Sequence, residues 1–292
     1  MRYTIRDFEA QFPDNAACLD FIFKARWPDG GTCKCGKKDC FYPVKKRKCY
    51  SCAWCGYQVS PTEGTIFHKS STSLKSWFFA VFLISSSKNG VAALELQRHI
   101  GVTYKTAHRM GHKIRQLMQA GGDPLKGVVE ADETYIGGKG RNMHRNKRKF
   151  QGRGTNGKIP VIGVLERGGN IRARMVRESN FTNIMPNILE NVSVGSTVCT
   201  DEYRCYSKLS DFGFNHEKVG HAIGEYVRGG AHTNSIEGFW SQLKRSINGT
   251  FHHVSRQHLQ KYVDEFVYRY NLRFSETPVW FDLSGRVSQR HV

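Results

Sequence analysis

The sequence predicts an α/β protein in which a mixed sheet with flanking helices follows a cysteine-rich segment and a helical segment. Six of the nine cysteines lie between Cys33 and Cys55, helical patterns follow them, and strand patterns alternate with helical ones from Gly127 onward. The 292 residues suffice for two or three domains. The predicted parts are a helical lead-in, a cysteine-rich ribbon, a helical region and an α/β domain, at residues 1–29, 30–68, 69–122 and 123–292.

The composition points to a polyanionic partner. The chain has 44 Lys and Arg against 25 Asp and Glu, a formal net charge of +19. An excess of this size favours nucleic acid, with an ordinary basic protein as the alternative. No apolar run reaches the roughly 18 residues of a membrane span, and the N-terminus lacks the apolar centre of a secretory signal. We therefore expect a cytoplasmic protein without a membrane segment.

The cysteine cluster, CKCGKKDCFYPVKKRKCYSCAWCG, predicts a metal site. An odd total of cysteines without a secretory signal argues against a disulfide framework. The second pair has the C-x-x-C-G spacing of a zinc knuckle, whereas the first pair is one residue short, so Cys40 or Cys49 could replace one of its thiols. Free reduced cysteines are the alternative to a zinc ribbon with a hairpin at FYPVKKRKCY. The expected Zn²⁺ ligands are Cys33, Cys35, Cys52 and Cys55.

The segment from Gly90 to Met118 has the order helix, turn, helix. Apolar residues at helical spacing precede Gly101, and Thr103 can cap a second helix, which is typical of a helix-turn-helix. An ordinary helical hairpin with a solvated basic face is the alternative. The basic residues of the second helix that suit phosphates and base edges are Lys105, Arg109, Lys113 and Arg115.

The α/β region predicts an RNase H-like sheet. Strands are expected in GVVEADETYIGG, on both sides of the turn at Gly168, in STVCT and in HEKVGH. Helices are expected in FTNIMPNILENV, after Asp201 and from His232 onward. The resulting order of three strands, helix, strand, helix, strand, helix is that of an RNase H-like sheet, in which the first and fourth strands are neighbours.

Three acids in this region are candidate metal ligands. Asp132 lies in the first strand, Asp201 ends the fourth, and Glu237 lies on the last helix. Converging carboxylates repel one another unless cations lie between them. Two Mg²⁺ or Mn²⁺ ions held in this way would activate a nucleophilic oxygen and stabilise the leaving one. A chance triple among 25 acids is the alternative.

The last helix has two faces at about 100° per residue. Its apolar stripe can pack on the sheet and thereby aim Glu237 at the aspartates, with Asn234 as a reserve ligand. Lys244 could contact a DNA phosphate beside the metals, although a plain amphipathic helix is the alternative. The apolar stripe contains Ile236, Phe239, Trp240, Leu243 and Ile247. The polar stripe contains Asn234, Glu237, Ser241, Lys244 and Asn248.

A basic segment lies between the first two strands. Residues 139–158 contain eight Lys or Arg and no acid, which suits a loop that becomes ordered on a phosphate backbone. A solvated insertion is the alternative. The expected DNA contacts are Arg145, Lys147, Arg148 and Lys149.

The chain resembles bacterial insertion-sequence transposases of the ISXO-like group, which have a DDE-type catalytic domain. The resemblance extends from about Trp27 to Arg273. It is carried by CYSCAWCGYQVSPTEGTIF, ADETYIGGK, TDEYRCY, HTNSIEGFWSQLKRSINGTFHHVS and YVDEFVYRYNLR. By position it implies that Asp132 and Asp201 bind the metals, with Glu237 or Asn234 as the third ligand. The short first knuckle departs from the family pattern.

The resemblance implies a DNA transposase with an RNase H-like fold behind a zinc ribbon. Such an enzyme binds the ends of its insertion sequence and catalyses metal-dependent strand cleavage and strand transfer. Its partners would be double-stranded DNA at the element ends and target, and at least a second copy of the chain. Two alternatives are a non-catalytic DNA-binding regulator derived from a transposase and a nuclease that cuts without joining.

Overall fold

The structure is a computed structural model that describes residues 3–119, 121–138, 157–219 and 232–289. The described chain forms two compact units, one made of residues 3–118 and 275–289 and the other of the described residues within 119–274. The C-terminal segment thus groups with the first unit, whereas the sequence pattern assigned all of 123–292 to the α/β domain. The boundaries at 30–68 and 69–122 remain predictions.

The elements of the first unit are short helices around a small sheet. They are α1 Ile5–Gln11, α2 Asn15–Arg26, β1 Phe41–Pro43, β2 Tyr50–Cys52, β3 Gln58–Val59, α3 Leu74–Ser86, α4 Ala93–Ile100 and α5 Tyr104–Gln116. Within the described ranges, no helix of the protein combines the length and apolarity needed to cross a bilayer.

The second unit is built on a larger sheet. Its elements are β4 Val128–Ile136, β5 Ile159–Glu166, β6 Ile171–Met175, α6 Phe181–Asn191, β7 Thr197–Thr200, β8 Asn215–Lys218, α7 Asn234–Ser246 and α8 Arg256–Asn271. The chain then returns to the first unit as α9, Val279–Val287.

Aromatic packing explains why α9 joins the first unit. The ring of Trp280 lies with its centroid 5.8 Å from those of Phe8 and Phe12 and 6.1 Å from that of Phe82. All four side chains are buried. Because aromatic side chains bury large apolar areas, such a cluster dominates local packing energy. The cluster therefore fixes the C-terminal helix against α1 and α3.

The cysteine-rich segment forms the predicted hairpin. Strands β1, β2 and β3 pair antiparallel in that order, with Tyr42 opposite Ser51. Tyr50 of β2 stacks on Phe23 of α2 with ring centroids 3.9 Å apart. This stacking attaches the ribbon to the helix that precedes it.

Helices α4 and α5 are joined at Gly101, as the sequence predicts. Gly101 ends α4 in the left-handed region at φ 73°, a conformation that glycine adopts without steric cost. Thr103 then caps α5, because its hydroxyl accepts from the backbone N–H of Thr106 at 3.3 Å. The two helices are therefore observed, and their role as a DNA-binding helix-turn-helix stays a prediction.

The larger sheet has the strand order β6-β5-β4-β7-β8. Strand β5 is antiparallel to both β6 and β4, whereas β7 runs parallel to both β4 and β8. The predicted RNase H-like sheet is thus confirmed, including the adjacency of its first and fourth strands. The register pairs Val128 with Thr197 and Glu130 with Cys199. Continued by two residues, the same offset brings Asp132 opposite Asp201.

Helices cover both faces of this sheet. On one face, Ile184 and Ile188 of α6 share a core with Val129 of β4. On the other face, α7 and α8 form a core with alternate residues of β5, including Val161 and Leu165. Because successive strand residues point to opposite faces, Glu130 and Asp132 both lie on the α7 side.

Two amide side chains of α8 occupy the outer edge of β6. The Oε1 atom of Gln260 accepts from the N–H of Met175 at 2.7 Å, and its Nε2 donates to the carbonyl of Ala173 at 3.2 Å. Asn271 accepts from the N–H of Ile171 at 2.8 Å and donates to its carbonyl at 3.1 Å. In the described part of the chain, the outer edge of β6 has no neighbouring strand, so its backbone N–H and C=O groups would otherwise lack partners. The side chains of Gln260 and Asn271 supply hydrogen bonds to several of these groups.

The segment after Asp201 differs from the prediction of an α-helix. It contains two short 3₁₀ helices, Arg204–Tyr206 and Leu209–Phe212. The Asp201 side chain accepts from the N–H of Tyr203 at 3.0 Å, a local turn that competes with helix formation. Gly213, at φ 82°, ends the second 3₁₀ helix. The last strand is also shorter than predicted, because β8 ends at Lys218.

Candidate catalytic carboxylates and zinc centre

Asp132 lies in the middle of β4 and is partly buried. Its Oδ2 accepts from Nε1 of Trp240 at 3.0 Å. Burial and the negative charges of Asp201 and Glu237 together raise the pKa of Asp132 to about 6, against the opposing hydrogen bonds from the Glu133 backbone and from Trp240. A carboxyl with this perturbation is typical of a functional site.

Asp201 follows β7 directly and is partly buried. The N–H of Tyr203 donates to its Oδ1 at 3.0 Å, which orients the carboxylate. The charge of Asp201 raises the pKa of Asp132 and of Glu133. The register of β4 and β7, continued by two residues, sets the two aspartates opposite each other, and this explains why the charge of one acts on the other.

Glu237 lies on the first turn of α7 and is exposed. Its Oε1 accepts from the hydroxyl of Thr233 at 3.0 Å. The predicted faces of this helix are confirmed: all five residues of the apolar stripe are buried, and all five of the polar stripe are exposed.

The three carboxylates are spread more widely than the ligands of a single ion. Within the described residues, the oxygens of Asp132, Asp201 and Glu237 do not all come within 4.8 Å of one another. The described structure therefore does not bring the three carboxylates into one coordination shell.

Asn234 and Lys244 lie on the same exposed face of α7 as Glu237. Asn234 is the first residue of the helix. Partial desolvation lowers the pKa of Lys244, and the charge of Lys158 adds to this effect, whereas the charge of Asp132 opposes it. Lys244 thus lies within electrostatic reach of both Asp132 and Lys158.

Two further acids of β4 lie beside Asp132, and the sequence pattern did not single them out. Glu133 faces the opposite side of the sheet, where the Tyr206 hydroxyl donates to its Oε2 at 2.7 Å. Burial and the charges of Asp201 and Asp132 together raise the pKa of Glu133 to about 7, although the Tyr206 hydrogen bond opposes the shift. Glu130 faces α7 and is fully buried. The alternation of strand residues in VEADE predicts that Glu130 lies on the same face of β4 as Asp132. Its hydrogen-bond partners could not be predicted, because they lie more than 100 residues away in sequence.

The predicted zinc ligands lie together. The four sulfurs of Cys33, Cys35, Cys52 and Cys55 are within 4.8 Å of one another. The Cys33–Cys55 and Cys35–Cys52 separations are 3.4 and 3.8 Å. Tetrahedral zinc with bonds of about 2.3 Å places its sulfurs about 3.8 Å apart. The residues present therefore fit one Zn²⁺ ion despite the short first pair.

Cys40 and Cys49, the two alternative zinc ligands, lie outside this cluster of four sulfurs. Cys49 points its thiol toward Oε1 of Gln58 at 3.7 Å. Cys40 lies 3.4 Å from the sulfur of Cys52, and its thiol donates to the carbonyl of Lys37 at 3.4 Å. Neither belongs to the cluster of four mutually close sulfurs.

The basic residues of α5 separate into exposed and structural ones. Lys105 and Arg109 are exposed. Lys113 is half-buried, and its Nζ donates to the carbonyl of Ile66 at 3.4 Å. The exposed pair is thus available to a phosphate.

The prediction for Arg115 does not fit its environment. This side chain is 3% exposed and donates to the carbonyl of Val91 at 3.1 Å. Helical spacing identified it as basic but could not show that its face packs inward. The four basic residues expected to contact DNA from the loop after β4 lie outside the described residues: Arg145, Lys147, Arg148 and Lys149.

Comparison with known proteins identifies both parts of the chain. The profile of the ISXO2-like transposase domain matches residues 124–271, and that of the transposase zinc-ribbon domain matches residues 13–58. An uncharacterized protein in transposable element ISH50 of Halobacterium salinarum (strain ATCC 700922 / JCM 11081 / NRC-1) is 29% identical over 276 residues. The alignment covers 88% of this chain and 91% of that protein.

Two solved structures overlap with the chain at low similarity. One is the simian T-cell lymphotropic virus intasome in complex with PP2A regulatory subunit B56 gamma, at 12% identity over 64% of each chain with a TM-score of 0.31; this chain thus spans just under two thirds of that one. The other is a pre-cleavage Mos1 transpososome, at 9% identity over 74% of this chain and 80% of that one with a TM-score of 0.29. On the two profile matches, the chain belongs to the ISXO2-like transposase family and has a transposase zinc-ribbon domain.

Proposed function

We propose that this transposase cleaves DNA at the ends of an insertion sequence and joins the resulting 3′-OH to target DNA. Asp132, Asp201 and Glu237 would hold two Mg²⁺ or Mn²⁺ ions. The observation that carries the proposal is the register of β4 and β7, which, continued by two residues, brings Asp132 opposite Asp201. Burial, together with the charges of Asp201 and Glu237, raises the pKa of Asp132 to about 6, which supports it. Mutually repelling acids on three separate elements are what a cation pair would stabilise.

When bound, the two ions supply an activated oxygen nucleophile and stabilise the leaving oxygen. The protein contributes orientation. Trp240 holds one oxygen of Asp132, the Tyr203 amide holds one of Asp201, and Thr233 holds one of Glu237. Lys244 is proposed to neutralise a DNA phosphate beside the ions. Since the nucleophile is water or a DNA hydroxyl, we expect no covalent protein–DNA intermediate.

Glu237 is the better candidate for the third ligand. Both Glu237 and Asn234 are exposed on the same face of α7, one turn apart. Only a charged group can raise the pKa of Asp132 electrostatically, and Glu237 does so. Asn234 is the reserve ligand, whose amide oxygen could complete a metal shell.

The first unit is proposed to bind the element ends. Zn²⁺ held by the four clustered cysteines would fix the ribbon, and Lys105 and Arg109 of α5 would contact phosphates. The basic segment 139–158, most of which lies outside the described residues, would contribute further phosphate contacts. The two DNA ends must be held together, which requires at least two copies of the chain. We place the reaction in the cytoplasm, where a reducing milieu keeps thiols available for zinc.

Metal-dependent nicking of supercoiled plasmid carrying the element ends, followed by strand transfer from pre-cleaved ends, tests the proposal. We expect Asp132→Asn, Asp201→Asn and Glu237→Gln to abolish both steps while DNA binding persists. The matched control is Glu190→Gln, which removes a carboxylate from an exposed ion pair with Arg174. Full activity in either aspartate variant would overturn the assignment. Wild-type binding without cleavage would indicate the regulator, and cleavage without joining would indicate the nuclease.

A further inference from the structure

We infer that Glu130 is a positioning residue that fixes the start of α7 and thereby directs Glu237 toward the two aspartates. The inference rests on the proposed catalytic role of Glu237. Glu130 is 0% exposed, although glutamate is rarely buried without partners. What it contacts explains its burial.

The carboxylate of Glu130 receives hydrogen bonds from the first turn of α7. Its Oε2 accepts from the backbone N–H of Ile236 at 3.0 Å, and its Oε1 accepts from the Ser235 hydroxyl at 3.0 Å. These donors are more than 100 residues away in sequence. Glu130 therefore ties β4 to α7 directly.

Glu130 supplies a cap that α7 lacks locally. The residue before the helix, Thr233, makes no side-chain cap hydrogen bond, and its hydroxyl donates to Glu237. The first amides of a helix have no partner within it, and the positive end of its dipole favours an anion. A carboxylate from the sheet meets both needs, so the position of the helix start depends on Glu130.

A second hydrogen bond between β4 and α7 lies one turn further along the helix. Asp132 accepts from Trp240, four residues after Ile236. Residues two apart on a strand are about 6.7 Å apart, and four helical residues rise about 6 Å. The spacing of Glu130 and Asp132 along β4 therefore matches that of Ile236 and Trp240 along α7. The two hydrogen bonds together hold the strand and the helix in a fixed alignment. Glu237 lies between them.

Arg167 compensates the buried charge. Its Nε lies 3.0 Å from Oε1 of Glu130, and its guanidinium also donates to the carbonyl of His232 at 2.9 Å. The His232 ring approaches the same carboxylate oxygen, with Nδ1 at 3.2 Å. Both oxygens of Glu130 thus accept hydrogen bonds, from Arg167, Ser235 and Ile236, and an amide, which has only one accepting oxygen, could not replace both.

The test compares Glu130→Gln with wild type in single-turnover cleavage across a Mn²⁺ titration, with DNA affinity and hydrogen exchange measured on the same samples. We expect the rate at saturating Mn²⁺ to fall by roughly 10- to 100-fold, as for partners that orient metal ligands. DNA affinity should stay within about twofold, because Glu130 is buried. Exchange should accelerate at residues 235–240 and remain slow in β4 and β5. The control is again Glu190→Gln, which should match wild type.

Two results would overturn the inference. One is a wild-type cleavage rate in Glu130→Gln. The other is a slow variant in which α7 exchange is unchanged and the half-saturating Mn²⁺ concentration rises, which would make Glu130 a metal ligand. If Glu130→Gln loses protection from hydrogen exchange throughout the sheet, the Ser235→Ala variant becomes the test of the positioning role. It removes one hydrogen-bond donor to Glu130 and leaves the Glu130–Arg167 ion pair intact. Ser235→Ala should slow cleavage by roughly three- to tenfold with faster exchange confined to α7, and an unchanged rate and exchange would refute the role.

Asp132→Asn, run in parallel, separates the two proposals. If this variant cleaves like wild type, the catalytic assignment fails, while the exchange experiment still reports whether Glu130 holds α7. If Asp132→Asn is inactive and Glu130→Gln is fully active, only the positioning role fails.

Discussion

Gly163 leaves no room for a side chain beneath α7, so Gly163→Ala should destabilise the second unit. It lies on β5 directly opposite Asp132. A Cβ atom at Gly163 would lie 2.7 Å from Cη2 and Cζ2 of Trp240 and 3.1 Å from Cδ1 of Ile236. Trp240 is 3% exposed and is held by its hydrogen bond to Asp132. The indole therefore cannot move aside without breaking the contact that orients the carboxylate.

The magnitude follows from two opposing effects. Overpacking a dense core costs about 1–3 kcal/mol, and replacing glycine by alanine recovers about 0.4–1 kcal/mol through the unfolded chain. We expect Gly163→Ala to lower the free energy of unfolding by about 1–2 kcal/mol. Gly238→Ala is the matched control on α7, where an added Cβ meets no atom within 4 Å. It should stabilise by about 0.5–1 kcal/mol, since alanine favours a helix interior.

Urea titration followed by hydrogen exchange of β4 and β5 peptides measures both variants in the intact chain. The two substitutions should shift the midpoint in opposite directions. Gly163→Ala should also slow DNA cleavage, because displacement of Trp240 frees the carboxylate of Asp132. A Gly163→Ala protein as stable as wild type would refute the tight fit between β5 and α7.

Three further outcomes are expected. The folded state binds the proton of Asp132 more tightly than the unfolded chain does, because the pKa rises from 3.8 to about 6, so this group's contribution to stability falls as the pH rises from about 4 to 6. Asp132→Asn should remove that fall and be more stable by up to about 3 kcal/mol at pH 8 without Mg²⁺, as measured by urea titration, since each pKa unit corresponds to about 1.4 kcal/mol; equal pH profiles would contradict this. Cys52→Ser should lose bound zinc in a colorimetric metal assay, whereas Cys49→Ser should retain one ion per chain, and retention by both would exclude the assigned cluster. Lys105→Ala with Arg109→Ala should weaken DNA binding and reduce the salt dependence by about two phosphate contacts in a fluorescence titration, and an unchanged slope would remove α5 from the interface.

Periodicity and local spacing predicted the parts of this protein that depend on nearby residues. The alternation of buried and exposed residues on α7 follows from helical geometry, and the strand order follows from short elements that each bury an apolar face. The C-x-C pair at Cys33 looked irregular, yet its sulfurs reach those of the second pair because the hairpin folds back. Local patterns therefore identified the fold, the cysteine cluster and the candidate acids.

Contacts between distant residues could not be predicted in this way. The hydrogen bond from Trp240 to Asp132 and the capping of α7 by Glu130 join residues more than 100 positions apart. Arg115 fits a basic helical stripe, but packing turns it inward. The grouping of α9 with the first unit depends on Trp280 meeting Phe8, a contact between the two ends of the chain. Each of these depends on tertiary packing that periodicity does not encode.

The amides of Gln260 and Asn271 also limit how copies of this protein can assemble. By pairing with peptide groups of Ile171, Ala173 and Met175 along the margin of β6, they oppose the docking of a strand from a second protomer there, which would continue the sheet across a dimer. If two copies hold two DNA ends as proposed, we expect them to meet through side-chain surfaces or through another part of the molecule. The same arrangement protects a highly basic chain from fibrillar stacking along that margin when it is concentrated on DNA.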